Sequence, residues 1–119
     1  MKLATVALPV PDYDAAIAFF TAAGFELLED TALGGGKRWV KVGAPEGGSA
    51  LLLAQVADPV PAAGGRVAFF LETAEFEATA ARLETAGAMF EEAPRDEPYG
   101  RVAVWRDPWG NRWDLIQPA

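Results

Sequence analysis

The chain has 119 residues, of which 51% are hydrophobic, enough to bury one core without disulfides. Histidine and cysteine are both absent, which excludes Ser/His/Asp triads, Cys/His pairs, an imidazole base and histidine-ligated zinc or iron, and leaves any catalysis to Asp, Glu, Lys, Arg, Tyr or backbone groups. The formal net charge of −7, with ten Lys and Arg that form no cluster, argues against a nucleic-acid partner.

In chain order, Thr5 to Val10 reads as a first strand. The apolar run from Leu3 is cut by Pro9, Pro11 and Asp12, too short for a signal segment or a membrane span, so no membrane partner is expected. The lack of cysteine fits a cytoplasmic setting. Asp12 is the expected N-cap of a helix running to Gly24, with Tyr13, Ile17 and Phe20 on one face. Strands follow near Phe25 to Asp30, from Arg38 to Val42 after the Gly34-Gly35-Gly36 turn, and from Ser49 to Gln55 after Pro45-Glu46-Gly47-Gly48. Residues 58–65 read as a linker from their Pro and Gly content. Beyond it come a strand from Arg66 to Leu71 and a helix from Thr73 to about Ala86, ended by Gly87 and burying Phe76, Ala80 and Leu83. A strand from Ala88 to Glu92, a loop from Pro94 to Tyr99 and a final hairpin complete the chain.

The order β-α-β-β-β thus occurs twice. One shift of 63 carries Gly24 onto Gly87, Arg38 onto Arg101, Pro45 onto Pro108 and Gly47 onto Gly110, a register that points to internal duplication. The expectation is a single domain, 1–119, made of two repeats at about 1–57 and 66–119 joined by the linker 58–65.

Two such repeats, with Val10-Pro11-Asp12-Tyr13 opening the first helix and Phe19-Phe20 inside it, resemble the vicinal-oxygen-chelate superfamily of glyoxalase, bleomycin-resistance and extradiol-dioxygenase proteins. The stretch from Arg106 to Ile116, with its Asp107-Pro108-Trp109-Gly110-Asn111 turn, is similar to that superfamily's closing hairpin. Pro108 presets a turn torsion, while Gly110 and Asn111 are types that tolerate positive φ, so the turn speaks for the fold and not for a reaction. The resemblance implies an α+β fold, two tandem βαβββ modules forming a cupped mixed β-sheet with helices outside, and a homodimer. In metal-dependent members each module supplies one ligand from its first strand and one from its last. By resemblance these places fall on Thr5 and Arg66, and on Asp114 and Leu51, or Leu53 if the turn alignment slips. Asp114 alone among them suits a metal, so neither a metal nor another cofactor is expected.

If first and last strands are neighbours, Arg66 lies beside Asp114, and an ion pair between them is expected to neutralise the former site. Strand alternation gives the same face to Thr5, Ala7, Leu51, Leu53, Ala68, Phe70, Arg112 and Ile116. Tyr99 is a candidate for the cavity mouth and Trp105 for a ligand contact, although the pattern leaves open which side Trp39 and Trp105 face. Apolar walls around a small polar cluster suit a small organic ligand, anionic or aromatic. The resemblance therefore implies a small-molecule-binding protein of the bleomycin-resistance type, with antibiotic resistance as its setting. Its alternatives are a metal-free lyase or isomerase using Asp114 as base with Arg66 or Arg112 stabilising an enolate-like anion, a glyoxalase- or dioxygenase-like metal enzyme with other ligands, and an interaction module.

Overall fold

A computed structural model describes residues 1–119, which divide into two compact units, Met1–Pro59 and Val60–Ala119. The first unit contains β1 (Thr5–Val10), α1 (Tyr13–Ala22), β2 (Glu26–Gly34), β3 (Lys37–Gly43) and β4 (Ala50–Gln55). Its sheet has the order β1-β4-β3-β2, with β1 and β4 parallel and the other pairs antiparallel. Asp12 caps α1 as expected: its backbone is extended and its carboxylate accepts a 2.8 Å hydrogen bond from the Ala15 N–H. The helix buries Tyr13, Ala16, Phe19 and Phe20 on the face of the sheet that carries Leu8, Val10, Val40, Val42, Leu51 and Leu53. The strand β2 forms the outer edge and is exposed along its whole length.

In the second unit a short 3-10 turn, Ala62–Gly65, leads into β5 (Val67–Glu72) and α2 (Phe76–Ala86). The strands β6 (Met89–Phe90), β7 (Arg95–Glu97), β8 (Gly100–Arg106) and β9 (Arg112–Pro118) follow. The order is β5-β9-β8, with β6 and β7 pairing successive stretches of β8. The third-strand region therefore differs from the sequence expectation. The strand at Ala88 to Glu92 shortens to two residues, and the loop from Pro94 holds a strand of its own. The helix α2 begins at Phe76 rather than Thr73, because the Thr73 hydroxyl accepts from the Glu75 N–H and holds the intervening backbone in a turn. Phe76 and Leu83 of α2 are buried, as are Ala103, Trp105, Trp113 and Leu115 of the sheet. The Trp105 and Trp113 rings stack at 4.9 Å. Neither helix is long and apolar enough to cross a membrane.

The correspondence between the two units extends to side-chain roles. Arg38 binds Asp14 and Asp30 and lies over the Tyr13 ring, while Arg101 binds Glu77 and Asp96 and lies over the Phe76 ring. In each unit a glutamine from the last strand accepts from the first helical N–H: Gln55 from Tyr13 at 3.1 Å and Gln117 from Phe76 at 2.7 Å. Each thereby satisfies one of the amide groups that a helix start leaves without an internal partner. The shift of 63 carries Tyr13 onto Phe76, but Gln55 maps onto Gln117 with 62, so one residue is lost across the second turn.

That turn is built around polar groups. The Asp107 carboxylate, 4% exposed, accepts five hydrogen bonds, from the N–H groups of Trp109 and Asn111, both contacts of the Asn111 amide, and the Trp113 indole. Asn111 does not adopt positive φ; Gly110 does, at 84°. The role of Asn111 is instead to bind Asp107 and to accept from the Ala62 N–H at 2.8 Å, tying the entry to β5 onto the start of β9. Removing this amide takes two of the five contacts from a buried carboxylate and leaves the Ala62 N–H without its acceptor. Asn111→Ala is therefore expected to cost about 2–3 kcal/mol of unfolding free energy in urea titrations, against near neutrality for Glu46→Ala on the exposed first turn.

Candidate functional site

In each unit one sheet face packs on its helix and the other carries no helix, and alternation decides which residues each face receives; on the second unit's helix-free face Val102 and Val104 of β8 are nonetheless buried. In the first unit the parallel register pairs Val6 with Leu51, Ala7 with Leu52 and Leu8 with Leu53. Leu51 and Leu53, at 7% and 1% exposure, consequently lie on the helix side with Leu8. This corrects the assignment of Leu51 and Leu53 to the open face. Thr5 and Ala7 do lie on the face turned away from α1, and there they are joined by Leu52 and by Trp39, which is 38% exposed.

In the second unit the register pairs Val67 with Arg112, then, after a bulge at Ala68, Phe69 with Trp113, Phe70 with Asp114 and Leu71 with Leu115. Phe69, Trp113 and Leu115 face α2, so Arg112, Asp114, Ile116 and Phe70 fall on the open face. Trp105 is paired with Trp113 and fully buried on the helix side, which removes it from the predicted ligand contacts. Ala68 occupies the bulge and Tyr99 an exposed turn between β7 and β8.

The predicted ion pair between Arg66 and Asp114 does not form. Arg66 precedes β5, is exposed and joins no salt bridge, because the strand begins one residue later and the bulge advances its register. The same shift relocates the equivalences between units. Asp114, beside Phe70, corresponds to Leu52, beside Ala7, rather than to Leu51 or Leu53. Thr5 corresponds to Ala68 rather than Arg66, since the helix caps Asp12 and Glu75 stand 63 apart as these two do.

Asp114 sits between Phe70 on β5 and Val104 on β8. Its Oδ1 is enclosed and has no hydrogen-bond partner. Burial pushes its carboxyl above the ordinary carboxylate value, with Arg95 opposing that rise and Glu92 adding to it through space. Phe70 beside it is 65% exposed. An enclosed acceptor without a donor, next to a bare aromatic ring, breaks two packing rules in one place.

The surrounding charges come from residues that the sequence reading left out. Between β6 and β7 the Glu92 carboxylate accepts from the Val104 N–H at 2.8 Å, substituting for the ladder carbonyl that the broken strand cannot supply. Arg95 donates to both Glu92 oxygens, at 2.7 and 2.6 Å, and to Glu97 at 3.1 Å, with Tyr99 a further neighbour. At the other end of the face Glu91 binds two arginines, Arg106 at 2.7 Å and Arg112 at 2.8 Å, through the same oxygen. Those guanidinium groups hold its carboxyl down at about 2. The run Glu91-Glu92-Ala93-Pro94-Arg95 carried one legible hint, opposite charges three residues apart beside a proline. A groove of about 350 Å³ between α2 and residues 92–94 has its Glu77 and Glu92 already occupied by arginines.

Paired βαβββ units, each keeping one helix-free sheet face, define a chain of the glyoxalase/bleomycin-resistance fold. A family model described as the Glyoxalase/Bleomycin resistance protein/Dioxygenase superfamily matches residues 2–115, and the chain belongs to that superfamily. An uncharacterized protein of Shewanella frigidimarina is 42% identical over 121 residues, covering 94% of this chain and 90% of its own. Among solved structures, UcmS2 superposes with a TM-score of 0.80 at 33% identity, over 98% of this chain and 97% of its own. TnmS3, described as an antibiotic binding protein from Streptomyces sp. CB03234, superposes with a TM-score of 0.79 at 30% identity, over 100% and 97%.

Two pH-dependent outcomes follow, with opposite signs. Glu91, lowered from 4.5 to about 2, stabilises the fold fully above its unfolded value and stops doing so as pH falls through its folded one. Glu91→Gln should accordingly melt below the parent at pH 7, with the gap closing between about pH 4.5 and pH 2. Asp114, raised above 3.8, costs stability when ionised and ceases to cost any below its unfolded value. Asp114→Asn should therefore melt at or above the parent at pH 7, and the gain should vanish at pH 3; a Tm that drops on this substitution contradicts the description of the carboxylate as unpartnered.

Proposed function

We propose that this protein binds a small, partly apolar organic molecule of the antibiotic type on the open face of its second unit, without a metal ion. The observation that carries the reading is the pairing of exposed Phe70 with Asp114, whose enclosed Oδ1 has no donor. A flat apolar ligand covers the ring, and an N–H or O–H group on it bonds to the same carboxylate through Oδ2, the oxygen that is not enclosed. The whole-chain similarity to an antibiotic binding protein supports this ligand class. The contacts we assign to it are Phe70, Asp114, Arg112 and Ile116, with Tyr99 at the rim; on the first unit, taken by itself, the helix-free face carries Thr5, Ala7, Leu52 and Trp39.

The donor set argues against the family's metal chemistry. In the second unit Ala68 offers no anionic or imidazole ligand to accompany Asp114, in the first neither Thr5 nor Leu52 is such a ligand, and no three acidic side chains gather where they could share an ion. The fully exposed edge of β2 supports the homodimer that family membership suggests, since an open strand edge of nine residues is a pairing surface.

One observation favours a second reading. A desolvated carboxylate with a raised pKa and no arginine bonded to it has the properties of a general base, so Asp114 acting on a carbon acid would make this a metal-free isomerase or lyase. A thermal-shift screen of antibiotics and planar aromatics separates the outcomes. Binding predicts that a ligand raising the parent's Tm raises it by less than half as much in Phe70→Ala and Asp114→Asn; equal shifts in all three place the site elsewhere. Deuterium exchange into the bound ligand, lost in Asp114→Asn, makes the protein an enzyme.

A further inference from the structure

The open face of the second unit is electrically polarised along β9. At the Arg112 end, Arg106 and Arg112 stand directly opposite each other and share the single carboxylate of Glu91, an excess of one positive charge in a chain whose net charge is −7. Arg106 donates only its Nε–H and is 55% exposed, so its terminal nitrogens remain unbonded. Arg66 adds another cation at the same end, one residue before the Val67 that pairs with Arg112. Glu92 acts on Arg112 through space, but its oxygens are bonded to Arg95 and the Val104 N–H. Two residues along β9, the sign reverses: Asp114 has an unpartnered oxygen, and beyond it Arg95 is outnumbered by Glu92 and Glu97. Phe70 lies beside Asp114 on β5, level with it along the strand and across β9 from Arg106.

Resting on the binding face proposed above, we infer that its ligand class is an aromatic acid bearing a hydrogen-bond donor on the far side of its ring. The acid group lies at Arg106 and Arg112, the ring on Phe70 and the donor, an amine or hydroxyl, at Asp114. Two residues of extended strand separate the Arg112 and Asp114 backbone positions by roughly 7 Å, the length scale of a single-ring acid with a donor at the far end of its ring. Glu91 already presents a carboxylate to both guanidinium groups, so it is the resident competitor of such a ligand and shows the geometry that the ligand's own acid adopts. A neutral ligand gains nothing from this end of the face.

The test is isothermal titration at low ionic strength and pH 7 with 4-aminobenzoate and its neutral analogue 4-aminobenzamide, on the parent, Glu91→Gln, Arg106→Gln and Phe70→Ala. The acid is expected to bind the parent about tenfold more tightly than the amide, and Arg106→Gln to remove that preference while leaving the amide's affinity unchanged. Glu91→Gln, which frees both guanidinium groups, is expected to tighten the acid several-fold and not the amide, an effect opposite in sign to any loss of fold. Added salt should weaken the acid alone. The inference is overturned if the amide binds as tightly as the acid, if Glu91→Gln fails to tighten the acid, or if neither probe binds parent or Glu91→Gln. Should both probes bind equally and both weaken in Phe70→Ala, the binding face stands and only its acid selectivity is lost.

Discussion

The Asp107 carboxylate sets the position of everything on the second unit's open face. By accepting five hydrogen bonds across one turn it determines where β9 starts, and through Asn111 it holds Ala62, hence the approach to β5, in the same knot. Side chains alternate with a period of two along a strand, so a slip of one residue in either strand exchanges the two faces entirely. Trp113 and Leu115 would then leave the core, and Asp114 would enter it as an ionised group facing α2. The knot is costly in its own terms: burial pushes the Asp107 carboxyl upward against the hydrogen bonds that lower it. The return is register, a property that apolar packing alone specifies poorly.

The bulge at Ala68 is the second device of this kind. It places Phe70, instead of Phe69, beside Asp114, and sends Phe69 against Trp113 at a centroid distance of 4.6 Å. The first unit pairs its corresponding strands without such a bulge and puts Ala7 beside Leu52. Two copies of one architecture have thus diverged: a small apolar pair occupies this position in one, a bare ring and an unpaired carboxylate in the other. The structural duties common to both, the arginine over the first helical ring and the glutamine at the helix start, have not diverged. Where the two units differ is where a role beyond folding is to be sought.

The sequence was readable wherever one residue type has one physical use. Asp12, Gly24 and Gly87 marked helix ends, the three glycines at 34–36 marked a turn, and Phe76 and Leu83 marked a buried stripe. The site was less legible because it depends on pairing. Arg66 and Asp114 carry opposite charges at plausible strand positions, but nothing in a single sequence announces a bulge, and that bulge separates them. Leu51 and Leu53 were displaced by the single residue lost in the second turn, which changes the face assigned to each. Glu92 escaped notice because its task, completing a backbone ladder across a broken strand, exists only once the break is seen. Trp105 could not be sided by alternation within β8, where four consecutive residues, from Val102 to Trp105, are buried.

Asp114 is a half-buried carboxylate whose enclosed Oδ1 has no protein donor and whose Oδ2 is open to one from a ligand, and carbon-detected NMR of its carboxyl group across pH reads that state. The expected result is a titration midpoint above the ordinary 3.8 in the free protein, moving downward when 4-aminobenzoate supplies a hydrogen bond to the ionised form. A midpoint at or below 3.8 that is indifferent to added aromatic ligands would contradict it, and would return the open face to the status of ordinary surface.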